Sequence, residues 1–233
     1  MRIGLFLAGA LAPAVFLASP AAAESLVWGI QVEQLEYRAG DDSDVFAWDF
    51  DAIAGTDELK FVWRSEAEFS LDEEAFETLE NQARLQVPIS PFFDAVAGIR
   101  VDTPDGPDRV YGVLGLQGLA QQWFEVEADL FVGEDPSVRF EVEYEGLITN
   151  RITIVPSVEV DLPFTDDEAI GAGAWGPKLE VGARLSYDLI DRVVSPYIGV
   201  HYERLFGKSA DFARDDGEED DAVFFVIGTR ILF

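Results

Sequence analysis

Residues 222–233 read AVFFVIGTRILF and end the chain on Phe233. They close a protein that is otherwise strongly acidic, with 45 Asp and Glu against 16 Lys and Arg. Alternation places Phe225, Ile227, Thr229, Ile231 and Phe233 on one face of a strand. A final apolar strand has a clear use in lipid. There every backbone polar group must pair within the protein, so the last strand of a barrel closes against the first.

The same period of two recurs upstream. ELKFVWRSEAEF (58–69) sets Leu59, Phe61, Trp63, Ala67 and Phe69 against Lys60, Arg64, Glu66 and Glu68. SVRFEVEYE (137–145) sets Val138, Phe140, Val142 and Tyr144 against Arg139, Glu141, Glu143 and Glu145. KLEVGARLSYDL (178–189) sets Leu179, Val181, Ala183, Leu185, Tyr187 and Leu189 against Lys178, Glu180, Arg184, Ser186 and Asp188. Segments of about ten residues suit a tilted membrane crossing, whereas strands of globular proteins average about 5–6. After residue 23 no run of 18 apolar residues is present to form a membrane helix.

Twelve strands are expected, at about 28–38, 45–54, 58–69, 75–87, 92–102, 109–118, 122–132, 138–146, 151–161, 177–189, 194–206 and 222–233. Loops after odd strands are acidic and often long, as in PFTDDEAIGAGAWG and GKSADFARDDGEEDD, while those after even strands are short, as in AGT and LAQQ. A soluble sandwich has no reason to sort its loops by parity; an outer-membrane barrel does. The fold class is therefore all-β, an antiparallel transmembrane β-barrel of about 12 strands closed by the strand ending in Phe233. Pro156 cannot donate a ladder bond, so a bulge is expected there. Trp48, Trp63, Trp123 and Phe206 lie near expected strand ends, as in aromatic girdles.

Residues 1–23, MRIGLFLAGALAPAVFLASPAAA, combine one basic residue, an apolar run and a small-residue A-x-A site. They read as a signal peptide cut before Glu24, leaving 24–233 as the barrel. The negative balance argues against nucleic acid and against anionic lipid surfaces, and it concentrates cations. There is no cysteine, and Met1 is the only methionine, so the mature chain has no sulfur.

Several stretches resemble one family, the copper resistance protein B family of outer-membrane proteins. They are SPFFDAVAGIRVD (90–102), GLQGLAQQWFEVEADLFV (115–132), LITNRITIVPSVEV (147–160) and SPYIGVHYERLFGKSADFARDDGE (195–218). The last contains the family's G-V-x-[WY]-E-R-x-F-G-x-[ST]-A run, and the closing Phe resembles the assembly signal of outer-membrane proteins. The resemblance implies a barrel in outer-membrane lipid, serving copper tolerance in a Gram-negative bacterium. Family members often carry a Met/His-rich segment before the barrel, thought to bind copper. Here only Glu24 to Val27 are expected between signal peptide and first strand, so that segment is expected to be missing; if the barrel exports copper, a periplasmic carrier rich in Met and His would supply those ligands.

Copper(I) prefers sulfur, which the mature chain lacks; Cu(II) accepts imidazole and carboxylate. That leaves His201 with Glu203, two residues apart on one lumen-facing side, as a Cu(II) pair or as a histidine hydrogen-bonded to a carboxylate. The inward rows Arg64-Glu66-Glu68, Arg139-Glu141-Glu143 and Lys178-Glu180-Arg184 read either as salt-bridge ladders, the favoured reading, or as an acidic cation path. Seven acids between Asp211 and Asp221 read as a solvated loop able to attract divalent cations weakly. No G-x-S-x-G or zinc spacing is present, and no enzyme is expected. Functions left open are weak Cu(II) binding, cation passage or copper efflux through the lumen, a cation-selective porin-like channel without a copper role, and a purely structural barrel.

Overall fold

The computed structural model describes residues 26–40, 43–103, 108–190 and 192–233, so the expected signal peptide lies outside the described residues. The chain forms β1 (Val27–Ala39), β2 (Asp44–Gly55), β3 (Lys60–Ser70), β4 (Ala75–Pro88), β5 (Phe93–Asp102) and β6 (Arg109–Leu119). It continues with β7 (Phe124–Val132), β8 (Ser137–Tyr144, resuming at Gly146–Leu147), β9 (Ile152–Pro163), β10 (Lys178–Tyr187), β11 (Val194–Leu205) and β12 (Asp221–Leu232). Each strand pairs antiparallel with its sequence neighbour. β12 then pairs with β1, with Val32 beside Ile231 and Tyr37 beside Ile227, so the sheet closes into a barrel of twelve strands. The last residue takes part in that seam: Phe233 N donates to Ile30 O at 2.9 Å, and Ile30 N donates back at 3.1 Å.

Alternation decides what each face meets. In β12, Phe225 and Ile227 are exposed on the outside while Phe224 and Val226 are buried inside. In β4, Leu85 and Val87 face out while Glu80, Gln82 and Arg84 are buried within. Outward residues need no protein neighbours because lipid covers them. Polar groups inside must satisfy one another.

Three irregularities interrupt this pattern. β1 skips one position between Val32 and Gln34 against β2, and the bulge at Glu33 leaves Glu33 and Gln34 both bonded inside the barrel. β4 bulges at Glu77 opposite the Glu68–Phe69 step. At Pro156 the expected bulge is absent. The β8 ladder lapses between Tyr144 and Gly146, yet pairing resumes in the same register, Ile154 with Gly146 and Ser157 with Glu143. Losing one donor thus costs the strand a pairing step without an inserted residue.

The last long loop also differs from expectation. Residues Gly207–Asp216 form a helix, α1, where the sequence reads as a solvated loop. Ser209, Ala210 and Ala213 make its buried face, and Gly217 ends it in the left-handed conformation at φ +86°. The Glu218 amide then donates to Ala213 O at 2.8 Å, as in a glycine-terminated helix.

Candidate functional site

The lumen holds the charged faces, and its arginines reach across it. Arg64 on β3 donates to Asp51 on β2 at 3.0 Å and to Glu127 on β7 at 2.6 Å. Arg84 on β4, with no exposed side-chain surface, donates to the same Glu127 at 2.6 Å and to Asp129 at 2.9 Å. Arg139 on β8 donates to Glu66 on β3 at 2.9 Å and Glu80 on β4 at 3.2 Å, while its Nε faces Asp161 on β9 at 3.0 Å. β8 and β3 stand five strands apart in a ring of twelve, so the Arg139 side chain and its partners bridge most of the bore. Arg230 on β12 reaches Glu143 on β8 at 2.9 Å and also Glu145.

The structure gives the residues of the expected inward rows partners as follows. Arg64, Glu66, Arg139, Glu143, Lys178, Glu180 and Arg184 all take part in these or related pairs, and Glu68 pairs with Arg38. Glu141 sits between Arg139 and Glu143 on the same inward row. Sequence reading missed Arg38, Glu36, Arg84, Glu127 and Asp129, which are buried and central. It also missed an apolar packing layer inside, where Phe131 and Val113 are fully covered and Arg100 stacks over the Phe131 ring at 4.3 Å. The missed signal was available in FEVEADLFV and QARLQ, whose alternation is as regular as in the quoted strands.

His201 is 4% exposed and faces inward. Its Nε2 lies 3.4 Å from Glu180 Oε2 and 3.5 Å from a guanidinium nitrogen of Arg38, and Nδ1 has no hydrogen-bond partner among the described residues. Glu203, the carboxylate expected beside it, is taken instead by Lys178 at 3.0 Å. The histidine's partner is thus Glu180 on the neighbouring strand, a cross-strand contact that spacing along one strand could not reveal. Among the described residues no three His, Asp or Glu side chains assemble as a metal-ligand set.

A lid covers the long-loop end. Loop 164–177 follows β9, and Asp167 within it accepts from Arg109 at the start of β6, at 2.5 and 2.8 Å. Helix α1, between β11 and β12, docks on the same loop: Ser209 Oγ accepts from Gly173 N at 2.9 Å and donates to Gly176 O at 2.7 Å. Because β6 lies opposite β12 in the ring, the assembly from α1 through the loop to Arg109 spans the mouth. Lys208 on α1 also pairs with Asp166, and that hydrogen bond, with another from Ala174 N at 2.8 Å, holds the Asp166 carboxyl below the ordinary aspartate value of 3.8.

A depressed folded pKa contributes stability that is fully present above the ordinary value and lost as pH falls through the lowered one. Hydrogen-exchange protection of the lid amides, corrected for intrinsic rates, should therefore be flat from neutral pH down to about 4 and decay below it. Asp166→Asn should remove that decay and raise neutral-pH exchange by less than about tenfold, as fits an exposed pair. An identical acid profile in the variant would mean that another carboxylate fastens the lid.

A closed ring of amphipathic antiparallel strands, apolar outside and ion-paired inside, defines an outer-membrane β-barrel. The model of the copper resistance protein B precursor (CopB) family matches residues 26–233, and the chain belongs to that family. It is 37% identical over 206 residues to copper resistance protein B of Escherichia coli, covering 88% of this chain and 69% of the relative. To the copper resistance protein B homolog of Pseudomonas syringae pv. tomato it is 33% identical, covering 86% and 68%. Among solved structures, the KdgM porin and the NanC porin each superpose with TM-score 0.54 at 12% identity, covering 88% of this chain and 99% of theirs. That likeness concerns the fold alone. The protein resides in the outer membrane, as its family and barrel require.

Proposed function

We propose that this protein serves copper tolerance as an outer-membrane barrel with a closed lumen, limiting cation entry while holding Cu(II) only weakly on surface carboxylates. Membership of the copper resistance family supports the copper role. The Arg139 contacts to Glu66 and Glu80 across the bore carry the closed-lumen part of the reading. Twelve strands lie between filled eight-stranded barrels and open porins of sixteen or more, so side chains decide which behaviour prevails. Here they cross. His201 is a poor Cu(II) ligand in this setting, because the permanent charge of Arg38 lies 3.5 Å from its Nε2. No catalytic role belongs to this reading.

Passage of cations is a second reading, favoured by the inward acids Asp49 and Glu141, which add negative charge beyond the paired sets. On that reading the barrel exports copper handed over by a periplasmic carrier that supplies Met and His ligands. Planar-bilayer recording on the refolded barrel separates the two, with no steady conductance expected from the wild type. A stable cation-selective current would replace closure by passage. Calorimetry with Cu(II) is expected to show weak binding that His201→Ala leaves unchanged; tight binding lost in that variant would place the site in the lumen. Deletion should sensitise cells to copper more than to other divalent metals. Equal sensitivity would leave only an envelope role.

A further inference from the structure

The membrane-facing wall carries a polar residue, Asn81, at the middle of β4. Glu80, Gln82 and Arg84 of β4 are buried in the lumen, so Asn81 between Glu80 and Gln82 points outward. It stands directly opposite Ser65 of β3, which lies on the same wall but is buried beneath Trp48, and next to Val101 of β5. The level of this residue is fixed by its surroundings. Toward the long-loop end lie the edge-to-face rings of Trp48, Phe69 and Phe76; toward the short-turn end lie exposed Trp63, Phe61 and Leu85. Asn81 therefore lies within the apolar band rather than at its edge.

An amide there is costly unless it is hydrogen-bonded, because acyl chains offer neither donors nor acceptors. The protein answers only part of the demand. Trp48 Nε1 donates to Ser65 Oγ at 3.3 Å, while the Asn81 side chain has no hydrogen bond among the described residues. A carboxamide carries two donors and one oxygen acceptor, so it is complementary to itself. Two-fold pairing of like surfaces is also the commonest mode of self-association. The next outward position on β4, Ala83, is small, so Asn81 is not overhung from its own strand on that side.

We propose that the outer face of β3 and β4 is the contact between two copies of this chain in the outer membrane, with Asn81 amides paired across a two-fold axis. This interface is independent of the lumen and of the copper role.

The chain contains no cysteine, so single cysteines report proximity without background. In native outer membranes Ala83→Cys should form a disulfide-linked homodimer on mild oxidation. Val158→Cys, outward on β9 at the opposite side of the ring, should remain monomeric. Sedimentation equilibrium in density-matched detergent should show a wild-type dimer that Asn81→Leu weakens by about tenfold. Heat-modifiable gel mobility establishes that each variant is folded. A wild type that stays monomeric at every concentration overturns the proposal. So does a cross-link from Ala83→Cys no stronger than from Val158→Cys, or one made to a different membrane protein. An Asn81→Leu variant that dimerises as well as the wild type overturns it too.

Discussion

Replacing Arg139 with methionine is expected to create a steady, cation-selective conductance in planar bilayers and to lower the unfolding free energy by about 3–5 kcal/mol. Both effects come from the same removal. Arg139 faces Glu66, Glu80, Glu159 and Asp161, at 2.9 to 3.2 Å, from strands on both sides of the bore. Without the guanidinium these carboxylates repel one another, water enters to solvate them, and the wall side chains retreat toward their own strands. Glu159 and Asp161 then lose their cation while Glu80 keeps Arg100 at 2.8 Å, and the acid-lined bore becomes a cation filter. The stacked Phe131 ring, which Arg139 overlies at 5.5 Å, loses its cover at the same time. Recording wild type and variant in a salt gradient gives both conductance and selectivity. If the variant is as tight as the wild type, the bore is sealed elsewhere, with the Arg109–Asp167 lid as the next element to cut.

Much of this architecture was legible because lipid imposes a strict alternation. Where one face must be apolar and the other must satisfy charges, a strand such as KFVWRSEAEF states its orientation residue by residue. Loop parity then supplied topology, and the final Phe supplied closure. What resisted reading was contact across the sheet and across the bore. Glu203 looks like the partner of His201 along β11, yet the ladder puts Glu180 opposite Glu203 and hands that carboxylate's neighbour, Lys178, to both acids. Which arginine meets which acid depends on barrel shear, a property no single strand records. Helix α1 was hidden for a different reason. Its short buried face of Ser209, Ala210 and Ala213 is small and weakly apolar, and the acids around it dominate the composition. The outward Asn81 broke the alternation rule and so is the kind of local inconsistency expected at an interaction site.

The seam between first and last strands should be as sensitive to losing a charge as the Arg139 cluster, and Glu36→Gln is expected to destabilise the barrel by about 3–5 kcal/mol. Glu36, 1% exposed on β1, accepts from Arg38 at 2.7 Å, from Arg184 on β10 at 2.9 and 2.8 Å, and from the Tyr197 hydroxyl on β11 at 2.8 Å. One carboxylate thus joins β1 to β10 and β11, across the closing strand β12. The intervening residue on β12 is Gly228, where an added Cβ would lie 2.7 Å from both Glu36 Cβ and the Tyr197 ring. The glycine lets tyrosine and glutamate meet over the closing strand. Neutralising Glu36 leaves two buried guanidinium groups facing a neutral amide, whereas Glu36→Leu combined with Arg184→Met removes one of those charges along with the carboxylate. The double variant should lose less than the sum of its single changes, with a coupling of about 0.5–3 kcal/mol. Urea unfolding of barrels refolded in lipid vesicles measures all four proteins of that cycle. A loss below about 1 kcal/mol for Glu36→Gln would equal that of an exposed pair. The lumen would then be wet, its ion pairs screened, and the closed-bore reading would fail together with the stability argument.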